Sequence, residues 1–184
     1  MNRKELEHII RASGEIAKVQ KVIILGSQSV LGQYPELSHK TDDSESCKIM
    51  IRSMEADIMI PESGEKVELV ETIMGELSSF HDTFGYYAQG VDHTTSNLPE
   101  GWEERLVRIR NENTNNISGL CLEIHDLIIS KLYAGREKDA EFFYAAVKLG
   151  LLSKKTLLNR LHKTLMSEER RNVIEREVER GFMK

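Results

Sequence analysis

Glu55 and Asp57 stand one residue apart in "SMEADIMIP", residues 53–61, an apolar run that closes at Pro61. In a helix the two acids would point to different sides. In a strand they share a face, because side chains alternate with a period of two. Met54, Ala56, Ile58 and Ile60 then turn the other way, toward a core. Two neighbouring carboxylates repel, and their pKa values split unless a cation joins them. A divalent, oxygen-seeking ion such as Mg²⁺ or Mn²⁺ suits the pair. Metal-clamped carboxylates suit phosphoryl or nucleotidyl transfer, in which the ion holds attacking and leaving oxygens. The plainer alternative is an edge strand whose polar face is simply wet.

A second stretch with chemical potential precedes the acids. "KVIILGSQS" runs from a β-branched segment, Val22 to Leu25, into Gly26-Ser27 and a helix start. Glycine lets a backbone approach a ligand closely, serine adds a hydroxyl, and a helix N-terminus favours phosphate. Ser27 is the expected N-cap. A third stretch is "HDLIISKLYAGREKDAEF", residues 125–142. Lys131 lies at helical spacing from Leu127 and Ile128, at the edge of a packed helix. Its plain role there is to snorkel or to pair with Glu137. Arg136, Glu137, Lys138 and Asp139 form a charge run, read as salt bridges for Glu137 and Lys138, with Arg136 and Asp139 as site candidates.

The elements that must carry these residues follow from periodicity. Residues 3–19 read as an amphipathic helix bearing Leu6, Ile9, Ile10 and Ile16, weakened at Gly14. "YPELSHKTDDSESC", residues 34–47, reads as an acidic loop in which Asp42, Asp43 and Glu45 cluster, placed where a lid would sit. Strands are expected at 54–60 and 85–91, a helix at 64–80, and a turn at 97–102 with Trp102 as a packing anchor. "RLVRIRNENTNNISGLCLEI" reads as a hairpin around an Asn-rich turn. From Asp126 onward the pattern is helical, with a break at Ala134-Gly135. Two later helices each start at a serine.

The order strand, Gly-Ser, helix, then acid-x-acid strand resembles the nucleotidyltransferase superfamily. The 125–142 segment and "FGYYAQGVDHTTSNLPEGWEERLV" are similar to bacterial abortive-infection-type minimal nucleotidyltransferases. The resemblance covers roughly residues 20–150. It implies that Gly26 and Ser27 hold nucleotide phosphates, with Lys131 and Arg136 reaching the triphosphate, and that Glu55 and Asp57 hold Mg²⁺. It also implies a third metal acid on a later strand. Asp92 is the best placed, with Glu104 and Glu123 as fallbacks. Asp92 is equally an ordinary turn residue. The implied setting is toxin–antitoxin or phage defence, with RNA or tRNA as one acceptor and a cognate antitoxin as partner.

The expected fold is α+β: a nucleotidyltransferase-like sheet with flanking helices over 1–124, then a C-terminal helical bundle over 125–184. The rival function is a catalytically silent binding or interaction module on the same fold. Composition bounds both. The chain has 184 residues and a net charge of −5, which argues against a surface that coats long nucleic acid throughout. Lys154, Lys155, Arg160, Lys163, Arg170 and Arg171 are an RNA-facing patch or, with acids mixed among them, a solvated face. Two cysteines, Cys47 and Cys121, make neither a disulfide framework nor a zinc set, which suits a reducing cytoplasm. No apolar run approaches the ~20 residues that span a membrane.

Overall fold

Asn2 opens the first helix. Its side chain accepts from the Glu5 backbone while Glu5 reaches back to the Asn2 N–H, a reciprocal cap. The computed structural model describes residues 1–39, 45–61, 64–92 and 94–183. The helices are α1 (Arg3–Ala17), α2 (Val30–Gln33), α3 (Glu45–Ile51), α4 (Gly64–Met74), α5 (Ser79–Phe84), α6 (Ile124–Ala134), α7 (Glu137–Lys148), α8 (Lys154–His162) and α9 (Glu168–Phe182). The strands are β1 (Lys21–Ile24), β2 (Glu55–Met59), β3 (Tyr87–Gly90), β4 (Val107–Ile109) and β5 (Ser118–Cys121).

The strands form one mixed sheet in the order β3-β2-β1-β5-β4. β1 pairs antiparallel with β2 and parallel with β5. β3 lies parallel to β2, with Tyr87 opposite Glu55 and Gln89 opposite Asp57. β4 and β5 form the expected antiparallel hairpin, turned by left-handed Asn115 and Asn116. The fold is thus α+β, as expected from the pattern.

Small residues set the distance between layers. A side chain at Gly119 would strike Ile10 of α1, and one at Gly90 would strike Val67 of α4. Gly14 is likewise a close-packing position rather than a weak point, since a Cβ there would come within 2.6 Å of Ile117. In β2, Ala56 and Ile58 are fully buried and Ile60 nearly so. Met54 departs from that expectation: it precedes the strand and is 58% exposed.

Behind the sheet domain, α7 packs on α3, and α6 packs on α7 and α8. Leu127, Ile128, Phe143, Leu157 and Leu161 are buried in a core continuous with that of the sheet. Burying each of these is worth about 1.5–3 kcal/mol. Ser153 and Ser167 cap α8 and α9 as expected.

Three readings need correction. Residues 34–47 are not all loop: Pro35–His39 forms a 3-10 turn, and the helix Glu45–Ile51 starts within the stretch and buries Cys47, Met50 and Ile51. Asp42 and Asp43 lie outside the described residues. The helix expected over 64–80 stops at Met74, because Leu77 adopts a left-handed backbone (φ 64°) and Ser78 caps a new helix. Ser27 is not a side-chain cap. Gly26 occupies the cap position of a 3-10 turn, Ser27–Ser29, with no side-chain cap bond.

Candidate active site

β1 delivers the chain to Leu25, whose N–H donates to the Asp57 carbonyl at 3.0 Å. That bond brings Gly26 against the acid strand. A Cβ at Gly26 would lie 1.5 Å from Asp57 Oδ2. The backbone at Gly26 is extended (φ −81°), so glycine is required here by close approach and not by conformation.

Glu55 and Asp57 share the face of β2 opposite Ala56 and Ile58. The Tyr87 hydroxyl, one strand over, donates to Glu55 Oε2 at 3.2 Å. Burial pushes the Asp57 carboxyl up to about 7, and the neighbouring Glu55 adds to it through a shared hydrogen bond and charge repulsion. Lys131 and Arg136 pull in the other direction. The acids therefore form a carboxylate pair that favours holding a proton or a cation.

The cations come from α6 and the turn after it. Gly135 ends α6 in a left-handed conformation (φ 69°), and Arg136 caps the start of α7. The chain doubles back there, so Lys131 and Arg136 converge on Asp139. Lys131 Nζ lies 3.1 Å from Asp139 Oδ1, and Arg136 Nε lies 2.6 Å from Oδ2. Asp139 is fully buried. Burial pushes its carboxyl up, but the hydrogen bond from Arg136 and the charge of Lys131 outweigh that and hold it low. Burial lowers the Lys131 pKa, with Asp139 opposing. The Lys131 ammonium also sits 4.7 Å from the centre of the Phe142 ring. So the buried partner of Lys131 is Asp139, not Glu137.

These parts surround one cleft of about 390 Å³. Gly26, Ser27, Glu55, Asp57, Lys131 and Arg136 all line it. Arg52 and Lys138 join them, so four cationic side chains and two acids meet there. Ile49, Val91, Leu127 and Phe142 supply apolar walls. Sequence reasoning passed over Arg52, Tyr87 and Phe142. The signal for Tyr87 was its position on the neighbouring strand, which only the register reveals.

Asp92 stands apart. The cleft includes Val91 and resumes at Thr95, while Asp92 is exposed and accepts from the Thr94 backbone N–H at 2.7 Å. Glu123 caps α6 by accepting from the His125 N–H, and Glu104 is exposed in the Trp102–Arg105 turn. Trp102 packs, partly buried, against the core. Among the described residues no group of three His, Cys, Asp or Glu side chains could hold a metal. The Glu55–Asp57 pair offers carboxylate oxygens of the kind Mg²⁺ takes, so these two residues would be the ones to hold such an ion.

Most of the basic residues of the last two helices are engaged within the molecule. Arg160 pairs with buried Asp126 at 2.7 Å, Lys154 with Glu179 at 2.6 Å, and Arg170 donates to the Leu132 and Tyr133 carbonyls at the end of α6. No helix among the described residues is long and apolar enough to cross a membrane. No curated protein and no solved structure matches the chain. A sheet that presses a Gly-Ser turn against paired acids, with cations supplied by the following helices, agrees with a family model that spans almost the whole sequence: over residues 4–182 the chain belongs to the family described as "Nucleotidyltransferase of unknown function (DUF6036)".

Proposed function

We propose that the protein is a Mg²⁺-dependent enzyme that transfers a nucleotide from a nucleoside triphosphate to an acceptor hydroxyl in the Gly26–Asp57 cleft. The observation that carries this reading is the convergence of Gly26, Ser27, Glu55, Asp57, Lys131 and Arg136 on one cleft. The triphosphate lies along Gly26 and Ser27, with Lys131 and Arg136 facing the charge of the leaving pyrophosphate. The acceptor oxygen bonds to the α-phosphorus as the α–β bridging bond breaks. The hydroxyl proton leaves to solvent water, because carboxylates that hold a cation do not also take up a proton. Glu55 and Asp57 would hold Mg²⁺, which when bound supplies Lewis-acid stabilisation of the phosphate oxygens. Asp92 is retained as the proposed third acid, one residue beyond the cleft.

The setting belongs to the same reading. We assign the protein to the abortive-infection type, cytoplasmic and acting in a toxin–antitoxin or phage-defence pair, with an RNA such as tRNA as acceptor. Two buried free thiols, Cys47 and Cys121, suit a reducing compartment.

The test is transfer of label from each α-labelled triphosphate to total RNA, with Mg²⁺ or Mn²⁺, alongside melting temperature. Wild type should transfer label and gain stability from metal plus nucleotide. Asp57→Asn should do neither, yet remain folded. If wild type shows no transfer and melts identically with and without metal and nucleotide, the fold is a silent binding module and the proposal fails.

A further inference from the structure

Glu55 carries its carboxylate on a longer arm than Asp57 does. A glutamate side chain turns about one more bond than an aspartate, so its charge spreads over more positions unless something restrains it. Glu55 is restrained at both ends. Its backbone N–H donates to Ser53 Oγ at 3.1 Å, and the Ser53 hydroxyl donates to the Glu55 carbonyl at 3.3 Å. At the tip, Oε2 accepts from the Tyr87 hydroxyl at 3.2 Å.

The sheet sets that contact. Tyr87 is in register with Glu55 on the parallel strand β3, and its N–H donates to the Met54 carbonyl at 3.0 Å. Side chains in register point to one face. Gln89, in register with Asp57, is turned to another use: its Nε2 donates to Glu71 Oε1 of α4 at 2.6 Å.

Tyr87 is itself braced. The His81 ring of α5 packs on it, with ring centres 4.7 Å apart. His81 Nδ1 accepts from the Leu77 N–H at 3.1 Å. Had α4 continued through Leu77, that N–H would donate to the carbonyl one helical turn back. The left-handed backbone at Leu77 (φ 64°) frees it for His81. The break after α4 thus ends in a restraint on the acid strand.

Glu55 lines the cleft and Tyr87, half-buried on the edge strand, does not. Tyr87 therefore acts through Glu55. A hydroxyl donating to one carboxylate oxygen fixes the group and leaves its other lone pairs for a cation.

We propose that Tyr87 is a positioning residue, whose hydroxyl fixes the Glu55 carboxylate for the divalent cation that Glu55 and Asp57 would hold. The inference rests on the reading of those two acids as the metal pair.

Mn²⁺ binding to the full chain, followed by electron paramagnetic resonance with and without a non-hydrolysable nucleoside triphosphate, tests it. Tyr87→Phe keeps the ring on His81 and removes the hydroxyl. It should weaken Mn²⁺ binding about tenfold and leave the metal-free melting temperature unchanged. The Mg²⁺ concentration that half-saturates transfer should rise by the same factor, with the rate at saturating Mg²⁺ near that of wild type. Tyr86→Phe is the matched control, since the Tyr86 hydroxyl meets His8 Nδ1 at 2.7 Å instead; it should bind Mn²⁺ as wild type does. In Glu55→Asp, whose shorter side chain withdraws from the hydroxyl, adding Tyr87→Phe should cost nothing further. Wild-type affinity in Tyr87→Phe, with binding lost in Asp57→Asn, would overturn this proposal and leave the metal pair standing. Equal losses in Tyr86→Phe and Tyr87→Phe, or a full further loss on the Glu55→Asp background, would overturn it too, since either marks general loosening of the sheet edge. A wild type that binds no Mn²⁺ in either condition would overturn the metal pair and this proposal together.

Discussion

Asp57 meets two opposing demands, because the burial that shapes the cleft also penalises its charge. Its folded pKa of about 7 lies above the ordinary 3.8. Below the lower value both folded and unfolded chains hold the proton. As pH rises toward 7 the unfolded chain releases it first, so this residue withdraws stability, and the full penalty is reached above 7. Metal-free wild type should therefore lose more melting temperature between about pH 5 and 8 than Asp57→Asn does, and Mg²⁺ with nucleotide should reverse the loss at the upper end. Parallel pH profiles for the two proteins would contradict this. Asp92→Asn separates the third acid from the pair: if Asp92 takes part, transfer falls by orders of magnitude, and if it only orders the turn through Thr94, transfer is unchanged. At this scale the acids and the Gly-Ser turn were legible, since a period of two and a glycine are local signals. Asp139 was legible only as part of a charge run. Which member of that run is buried depends on the chain doubling back at Gly135, which no local spacing encodes.

The elements are tied together by buried carboxylates rather than by apolar contact alone. Asp126, fully buried near the start of α6, accepts from Arg105 at 2.8 and 3.1 Å and from Arg160 of α8 at 2.7 Å. One carboxylate thus joins the Trp102–Arg105 turn to two helices. Asp126→Ala leaves two arginines facing each other without it and should cost about 3–5 kcal/mol, measured by urea denaturation. A loss below about 1 kcal/mol would mean that the arginines find water at little cost. His125 adds a second tie. Its Nδ1 lies 2.7 Å from Glu123 Oε1, and its Nε2 accepts from the Ser153 N–H at 2.9 Å, which fixes where α8 begins. The helix starts at Ser153 and Ser167 were readable from the capping residue. The end of α4 was not, because Leu77 keeps the helical apolar rhythm yet is 84% exposed. The short α3 was hidden for the converse reason: seven residues give too little periodicity beside an acidic segment.

Across the whole molecule, the boundary near residue 124 divides the sequence pattern more sharply than it divides the core. One hydrophobic cluster contains Ile24 and Ile58 of the sheet together with Ile128 and Phe143 of the helices. The cleft has the same composition, with its acids from one side of that boundary and its Lys131 and Arg136 from the other. Residues 1–124 expressed alone should therefore show no cooperative thermal transition, and the full chain should unfold in a single step by both circular dichroism and tryptophan fluorescence from Trp102. A folded, cooperatively melting 1–124 fragment would show instead that the helices are an accessory. Fold class and the four C-terminal helices could be read from patterning, but the shared core could not, because it depends on which faces meet.

The 1.5 Å between a hypothetical Gly26 Cβ and Asp57 Oδ2 makes these two positions a single inherited unit. A lineage that keeps the acid has no freedom at position 26. A lineage that trades Asp57 for glycine or alanine vacates the space, and drift can then fill position 26 with a side chain. Aligned relatives should accordingly show a bulkier residue at 26 only where 57 has shrunk, so one glance at position 26 would sort chains that have retired the cleft from those still bound to its chemistry.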